Sequence, residues 1–190
     1  MPKIVNDEEI FRVVIQVISE RGYTGATTRQ IAEAADVSEM TLFRKYESKL
    51  ELVKQAVAFL VNQADLEAAV HYTGDAAADL LRIVQAYQES AVQHGQFIFV
   101  ILGEMQRHGE IADLISAPLN AFHRMGDLLA RYQKEGQLRQ ENPLHALTAL
   151  LGPLIYGHLF NQAVGDEVVP PLDLKEHVSR FLKGRSPKKP

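Results

Sequence analysis

TTRQIAEAADVSEMTLFRKYESK, residues 27–49, is the stretch that decides the fold of the N-terminal region. Thr27 with Gln30, and Ser48 with Glu51, have the spacing of capping boxes, in which a hydroxyl takes up a free N–H of the first helical turn and the later side chain reaches back. Between them Ser38 is placed to start another short helix. Ile31, Ala35, Val37 and Leu42 fall toward one small core together with Ile15 and Ile18, and Ala32 is small where two helices must cross. The pattern is a short helix, a tight turn and a second short helix, the arrangement that lays one helix across a DNA backbone and the next into a major groove.

Working outward, Ile10, Phe11, Val14, Ile15 and Ile18 recur every three or four residues and predict a preceding amphipathic helix. Asn6 with Glu9 would box its start and Gly22 would end it. Helices are thus predicted near residues 7–21, 28–35, 39–45 and 49–71, and no sustained period of two marks a strand. Farther on, Gly74, Gly95, Gly109, Pro118, Gly136, Pro143, Gly165 and the Pro170–Pro171 pair punctuate longer apolar segments. Asn142 before Pro143 has the form of a cap followed by proline at the first helical position. The fold class expected is all-α: a three-helix helix-turn-helix domain over 1–50, a larger helical domain over 51–184, to which effector binding and dimerisation are assigned below from a family resemblance, and a flexible tail over 185–190 that carries Lys188 and Lys189.

Composition narrows the function. The chain has 190 residues, 46% of them hydrophobic, and no cysteine, which removes disulfides and thiolate metal sites and suits a reducing cytoplasm. No run is apolar for long enough to span a bilayer, and MPKIVNDEE offers no apolar signal core, so neither membrane insertion nor secretion is expected. The formal charge of −4 argues against coating nucleic acid by bulk positive charge. It leaves a local basic face open, because screening beyond about 10 Å makes local clusters decisive.

Residues 27–49 resemble the N-terminal signature of the TetR family of regulators, T-x-R-x-I-A-x-x-A-G-V-S-x-G-T-L-Y-x-x-F-x-S-K. Thr27, Arg29, Ile31, Ala32, Ala35, Val37, Ser38, Thr41, Leu42, Ser48 and Lys49 are in register with it. Three departures stand out. Asp36 replaces a turn glycine, which aspartate can do because it tolerates the left-handed conformation better than most residues. Met40 replaces glycine on the recognition helix and adds an apolar group. Phe43 and Tyr46 exchange the usual tyrosine and phenylalanine, so Phe43 has no hydroxyl for a phosphate.

The resemblance implies double-stranded operator DNA as partner. Thr28, Arg29, Lys45, Tyr46 and Lys49 have the chemistry of phosphate contacts, with the start of the fourth helix at Lys49 offering free N–H groups. Glu39, Met40, Thr41 and Arg44 are placed to read base edges: Arg44 could grip guanine with two hydrogen bonds, and Met40 or Thr41 could rest on a thymine methyl. Ser38 and Phe43 complete the expected DNA-binding set. The plain alternative is that each Arg or Lys is solvated surface.

The remaining two thirds are less specific. Residues 143–165 are apolar on more than one face, as in a helix buried on all sides within a domain or across a subunit boundary. Gly152, Gly157 and Ala163 would permit close helix approach, and Pro153 should bend the segment. A last helix near 171–183 carries Leu172, Val178, Phe181 and Leu182 on one side. The resemblance implies that these two helices pair with their symmetry mates in a homodimer; a monomeric bundle is the alternative. Within FIFVILGEMQRH, residues 97–108, the apolar run around Glu104 suggests a cavity for a small-molecule effector. Its expected lining is Tyr87, Phe97, Val100, Ile101, Glu104, Met105, His108, Phe122, Met125 and Tyr156, with Tyr132 a further possibility; the alternative is ordinary core with Glu104 in solvent.

Glu104 and His108 have metal-pair spacing, with His94 and His123 elsewhere, but two ligands on one helix fall short of a zinc site. No metal or cofactor is expected. An enzyme reading finds no G-x-S-x-G, H-E-x-x-H or phosphate-loop pattern. An architectural protein without sequence preference is disfavoured by the acidic balance. The reading that follows is a ligand-responsive regulator, by analogy a repressor, which grips a near-palindromic operator as a homodimer.

Overall fold

The computed structural model describes residues 6–64, 66–105, 108–164 and 168–187, and among them there are helices and no strands. The chain divides into two compact units, one formed by residues 1–61 with 96–118 and the other by 62–95 with 119–190. The first therefore takes in more than the motif's own residues. No helix among the described residues is long and apolar enough to cross a membrane.

The first unit opens with α1, Asp7–Gly25. Its Asn6 cap accepts from the Glu8 N–H, not through the box expected with Glu9, whose N–H binds the Asn6 carbonyl (3.1 Å). Gly22 breaks the helical path at φ 75°, ψ 166°, and one further turn closes on Gly25. The stop foreseen at Gly22 is thus a kink. The second helix, α2, is Thr28–Ala34, with the reciprocal Thr27–Gln30 capping box in place. It ends in a Schellman closure: the Asp36 N–H bonds the Glu33 carbonyl and the Val37 N–H the Ala32 carbonyl (3.3 and 3.0 Å), with Asp36 left-handed at φ 55°.

Next come α3, Glu39–Tyr46, capped by Ser38, and α4, Lys49–Gln63, whose Glu51 N–H donates to Ser48 Oγ (3.1 Å). The core of this unit gathers Ile10, Phe11, Val14, Ile18, Ile31, Ala32, Leu42, Leu52, Val53 and Val57. Val37 and Ile15 are only partly buried against it. The helix expected to run to residue 71 stops at Gln63. Its apolar stripe ends at Val61, and without burial a helix loses the packing that sustains it.

After the short α5, Leu66–Ala69, comes α6, Ala76–Met105, thirty residues that run through Gly95. Gly95 was expected to interrupt the chain. It is buried instead, and a Cβ there would lie 2.7 Å from the His158 ring, so its role is close approach. A 3₁₀ turn, Gly109–Ile115, precedes α7, Ser116–Lys134, which carries Pro118 in its first turn, where proline is tolerated.

In the second unit α8, Pro143–Val164, starts at Asn142, whose Oδ1 accepts from the Leu144 and His145 N–H groups (2.9 and 3.1 Å). A Cβ at Gly152 would meet nothing within 4 Å and one at Gly157 only Val169, so neither marks a tight crossing within this chain. The last helix, α9, is Leu174–Lys183, capped by Asp173. Val178 and Phe181 face inward, whereas Leu172 precedes the helix and is exposed. Gly165 and the tail residues Lys188 and Lys189 lie outside the described residues.

A polar knot lies inside this second unit. Asp79 is fully buried and accepts from the Tyr132 hydroxyl (2.5 Å), from the Thr73 N–H and hydroxyl (2.8 and 2.7 Å) and from Arg82 (3.1 Å). Burial alone would raise this carboxyl, but the hydrogen bonds outweigh it and hold its pKa below the ordinary value.

Candidate nucleic-acid interface

The turn at Asp36 and the Ser38 cap set the direction of α3, and Leu42 and Tyr46 anchor it to the core. What remains outward is Met40, 83% exposed, Phe43, 49% exposed, and Arg44 and Lys45. Met40, Phe43 and Arg44 stand at i, i+3 and i+4 and share one face.

Most polar side chains assigned to DNA are already engaged within the protein. The Thr28 hydroxyl donates to Glu39 Oε1 (2.5 Å). Arg29 pairs with Glu33 (2.9 Å), which raises the guanidinium pKa further. Ser38 Oγ lies 2.7 Å from Thr41 Oγ1 and also receives the Thr41 N–H (3.1 Å). Arg44 has no ion pair among the described residues.

Asp7, at the first position of α1, is a hub that sequence reading missed. It pairs with Lys45 and accepts from the Tyr46 hydroxyl (2.5 Å). Hydrogen bonds from Lys45 and then Tyr46 hold the Asp7 carboxyl below its usual pKa. Burial, reinforced by Asp7, pushes the Tyr46 phenol up. Tyr46 is only 3% exposed, so it is a core residue with a tethered hydroxyl and not the phosphate contact expected of it. The correction has a simple cause: the ring fills the space beside Phe11, 5.9 Å between centroids.

Lys49 sits at the start of α4, half-buried, donating to the Tyr23 carbonyl, with its Nζ 4.1 Å from the centre of the Tyr23 ring. Burial lowers its pKa while the Glu104 carboxylate works the other way. Glu104 thus belongs to the first unit. Its Oε2 is 3.6 Å from His108 Nε2, and its Oε1 would lie 3.3 Å from a Cβ at Gly22. His108 in turn lies 3.0 Å from Thr24 Oγ1.

The effector-lining set is divided. Phe97 and Ile101 are buried in the cluster that also holds Ile18 and Leu52, with Val100 and Met105 packed against it. Phe97 and Ile101 are thus core of the first unit together with the helix-turn-helix and not an open cavity wall, whereas Val100 and Met105 are only partly buried. Tyr87, Phe122, Met125 and Tyr156 belong to the second unit. Met125 and Tyr132 are buried, Tyr87 and Phe122 are half-buried, and Tyr156 is 63% exposed, on an outward stripe with Phe160 and Val164, so it lines no cavity in this chain. Three polar atoms of the second unit, Gln88 Oε1, Gln133 Nε2 and His158 Nε2, are buried with no hydrogen-bond partner among the described residues. Burial also raises the Tyr87 phenol.

Comparison with known proteins accords with this geometry. Residues 10–56 match the family model described as bacterial regulatory proteins, tetR family. Over 187 residues the chain is 25% identical to YvkB, an uncharacterised HTH-type transcriptional regulator of Bacillus subtilis, the alignment covering 95% of this chain and 97% of that one. Among solved structures, the fatty acid degradation regulator FadR of Bacillus halodurans superposes with a TM-score of 0.70 at 18% identity, covering 94% of this chain and 96% of that one. The TetR family transcriptional regulator PfmR of Thermus thermophilus gives 0.66 at 17% identity, covering 92% and 94%. At these identities the structural matches establish a shared fold.

Proposed function

As a member of the tetR family of bacterial regulatory proteins, the chain is a DNA-binding transcriptional regulator, and from that premise we propose that it works in the cytoplasm as a homodimeric, effector-released repressor of a near-palindromic operator. The observation that carries the reading is α3 itself. It is capped at Ser38, anchored by Leu42 and Tyr46, and presents Met40, Phe43 and Arg44 outward. The N-terminal region is the DNA-binding domain, and the larger helical part takes the effector and the partner subunit.

Dimerisation is supported by α8. Tyr156, Phe160 and Val164 recur every four residues, more than half exposed, and form an apolar stripe of the kind that marks an interface. The solvent side of α9 contributes charge, including the Glu176–Arg180 pair (2.6 Å), more than apolar surface. The effector site is drawn around Tyr87, Gln88 and His158. Buried polar atoms without partners favour a ligand able to hydrogen-bond with them, and Gln88 lies two turns before Gly95, on the face of α6 that meets His158.

Effector control is a population shift. A ligand that binds one arrangement of the dimer more tightly disfavours the spacing of about 34–36 Å that fits two successive major grooves, whereas a ligand indifferent to the two states shifts nothing. The test is selection of bound duplexes from a random pool, repeated with candidate effectors. A two-fold symmetric consensus with half-sites one helical turn apart is expected. A footprint without two-fold symmetry would overturn the dimeric operator reading.

A further inference from the structure

We propose that the outward face of α3 reads the 5-methyl groups of pyrimidines: Met40 and Phe43 form an apolar ridge that packs on thymine methyls in the major groove, beside one guanine contact from Arg44. The inference rests on α3 being the helix that enters the groove, and it names the base chemistry that this helix selects.

The case begins with the hydrogen-bonding groups along the motif. Ser38 and Thr41 are bonded to each other, the Thr28 hydroxyl is given to Glu39, and Lys45 and Tyr46 share Asp7. On the outward face these engagements leave the Arg44 guanidinium beside two large apolar side chains. Met40 is the most exposed large hydrophobic residue among the described residues and Phe43 is half exposed, on a helix of only eight residues. Surfaces that leave such groups in water are poised to bury them.

The major-groove edge offers an apolar partner at one place, the C5-methyl of thymine, while guanine presents the O6 and N7 acceptors that suit an arginine. Asp7 pairs with Lys45 and Glu33 with Arg29, and phosphate contacts fix position without reading sequence, so discrimination falls to the outward face of α3. A ridge of this kind recognises the methyl itself. It therefore separates thymine from uracil, which pairs identically, and favours 5-methylcytosine over cytosine at the same step.

The full-length protein is first used to select duplexes from a random pool. The consensus is then resynthesised with deoxyuridine at each thymine in turn, and with cytosine or 5-methylcytosine at the most sensitive position. Loss of one buried methyl should weaken binding about fourfold. Met40→Ala and Phe43→Ala, which replace exposed residues and leave the core intact, should abolish the thymine–uracil difference while keeping the guanine preference. Equal binding of thymine and uracil at every position, or wild-type discrimination in both variants, would overturn the inference while leaving sequence-specific DNA binding in place. No enrichment from the pool would overturn both.

Discussion

Replacing Asp7 separates two properties that usually fall together. Its carboxylate accepts from the Tyr46 hydroxyl, which is held in the core, and pairs with Lys45 on the surface. A hydrogen bond to an ionised group contributes about 1.5–3 kcal/mol, and the lower end applies here because the Asp7 side chain is itself 49% exposed. The negative charge in the first turn of α1 adds roughly 0.3–1 kcal/mol through the helix dipole. Asp7→Ala should therefore cost about 2 kcal/mol, read as a lower urea midpoint. Asp7→Asn keeps an acceptor for Tyr46 and should cost less than half of that. Both variants release Lys45 toward the DNA, so non-specific affinity should rise. The slope of log affinity against log salt, followed by fluorescence anisotropy, should steepen by about 0.9 for one added phosphate contact. Loss of stability in Asp7→Ala with an unchanged slope in both variants would refute the idea that Asp7 withholds Lys45.

Further outcomes follow from other sites. Asp79→Ala leaves the Tyr132 and Thr73 donors unpaired in the interior and should cost about 3 kcal/mol in denaturant unfolding. Because the Asp79 pKa is depressed in the folded state, the stability it adds is complete above its unfolded value near ~3.9 and is lost as pH falls through the native value. The acid limb of the stability profile should therefore flatten in Asp79→Asn; an identical limb would count against the knot. At Asp36, held at φ 55°, a β-branched residue is strained, so Asp36→Val should be at least about 1 kcal/mol less stable than Asp36→Gly by thermal melting. Phe160→Asp places charge on the apolar stripe of α8 and should raise the dimer dissociation constant at least about tenfold by sedimentation equilibrium. Unaltered self-association would move the interface elsewhere.

The elements whose signals are local were legible in the sequence. Caps at Thr27, Ser38, Ser48 and Asn142 form as their spacing dictates, because a hydroxyl or amide and the N–H groups it satisfies lie within three residues of each other. Asp36 adopts the left-handed turn for a similarly local reason. What escaped notice depends on partners far along the chain. Tyr46 finds Asp7 across 39 residues and Gly95 meets His158 in another helix. Glu104, whose apolar neighbours suggest a ligand contact, lies beside Gly22, far away in the sequence, as well as beside His108. Periodicity states that Phe97 and Ile101 are buried but not in which unit, and burial in a core and burial around a cavity have the same pattern.

The joint between α3 and α4 consists of Glu47 and Ser48 alone. Glu47 sits at φ 63°, a narrow well for a residue with a side chain, and its N–H is bonded to the Phe43 carbonyl (2.9 Å). Ser48 is fixed on both sides, its N–H on Tyr46 (2.6 Å) and its hydroxyl on Glu51 (3.1 Å). With four backbone angles, all constrained, this is a corner with no slack. A tilt imposed on the start of α4 is therefore passed on to the helix that carries Met40, Phe43 and Arg44, and a glycine pair at this corner would turn a stiff lever into a loose one.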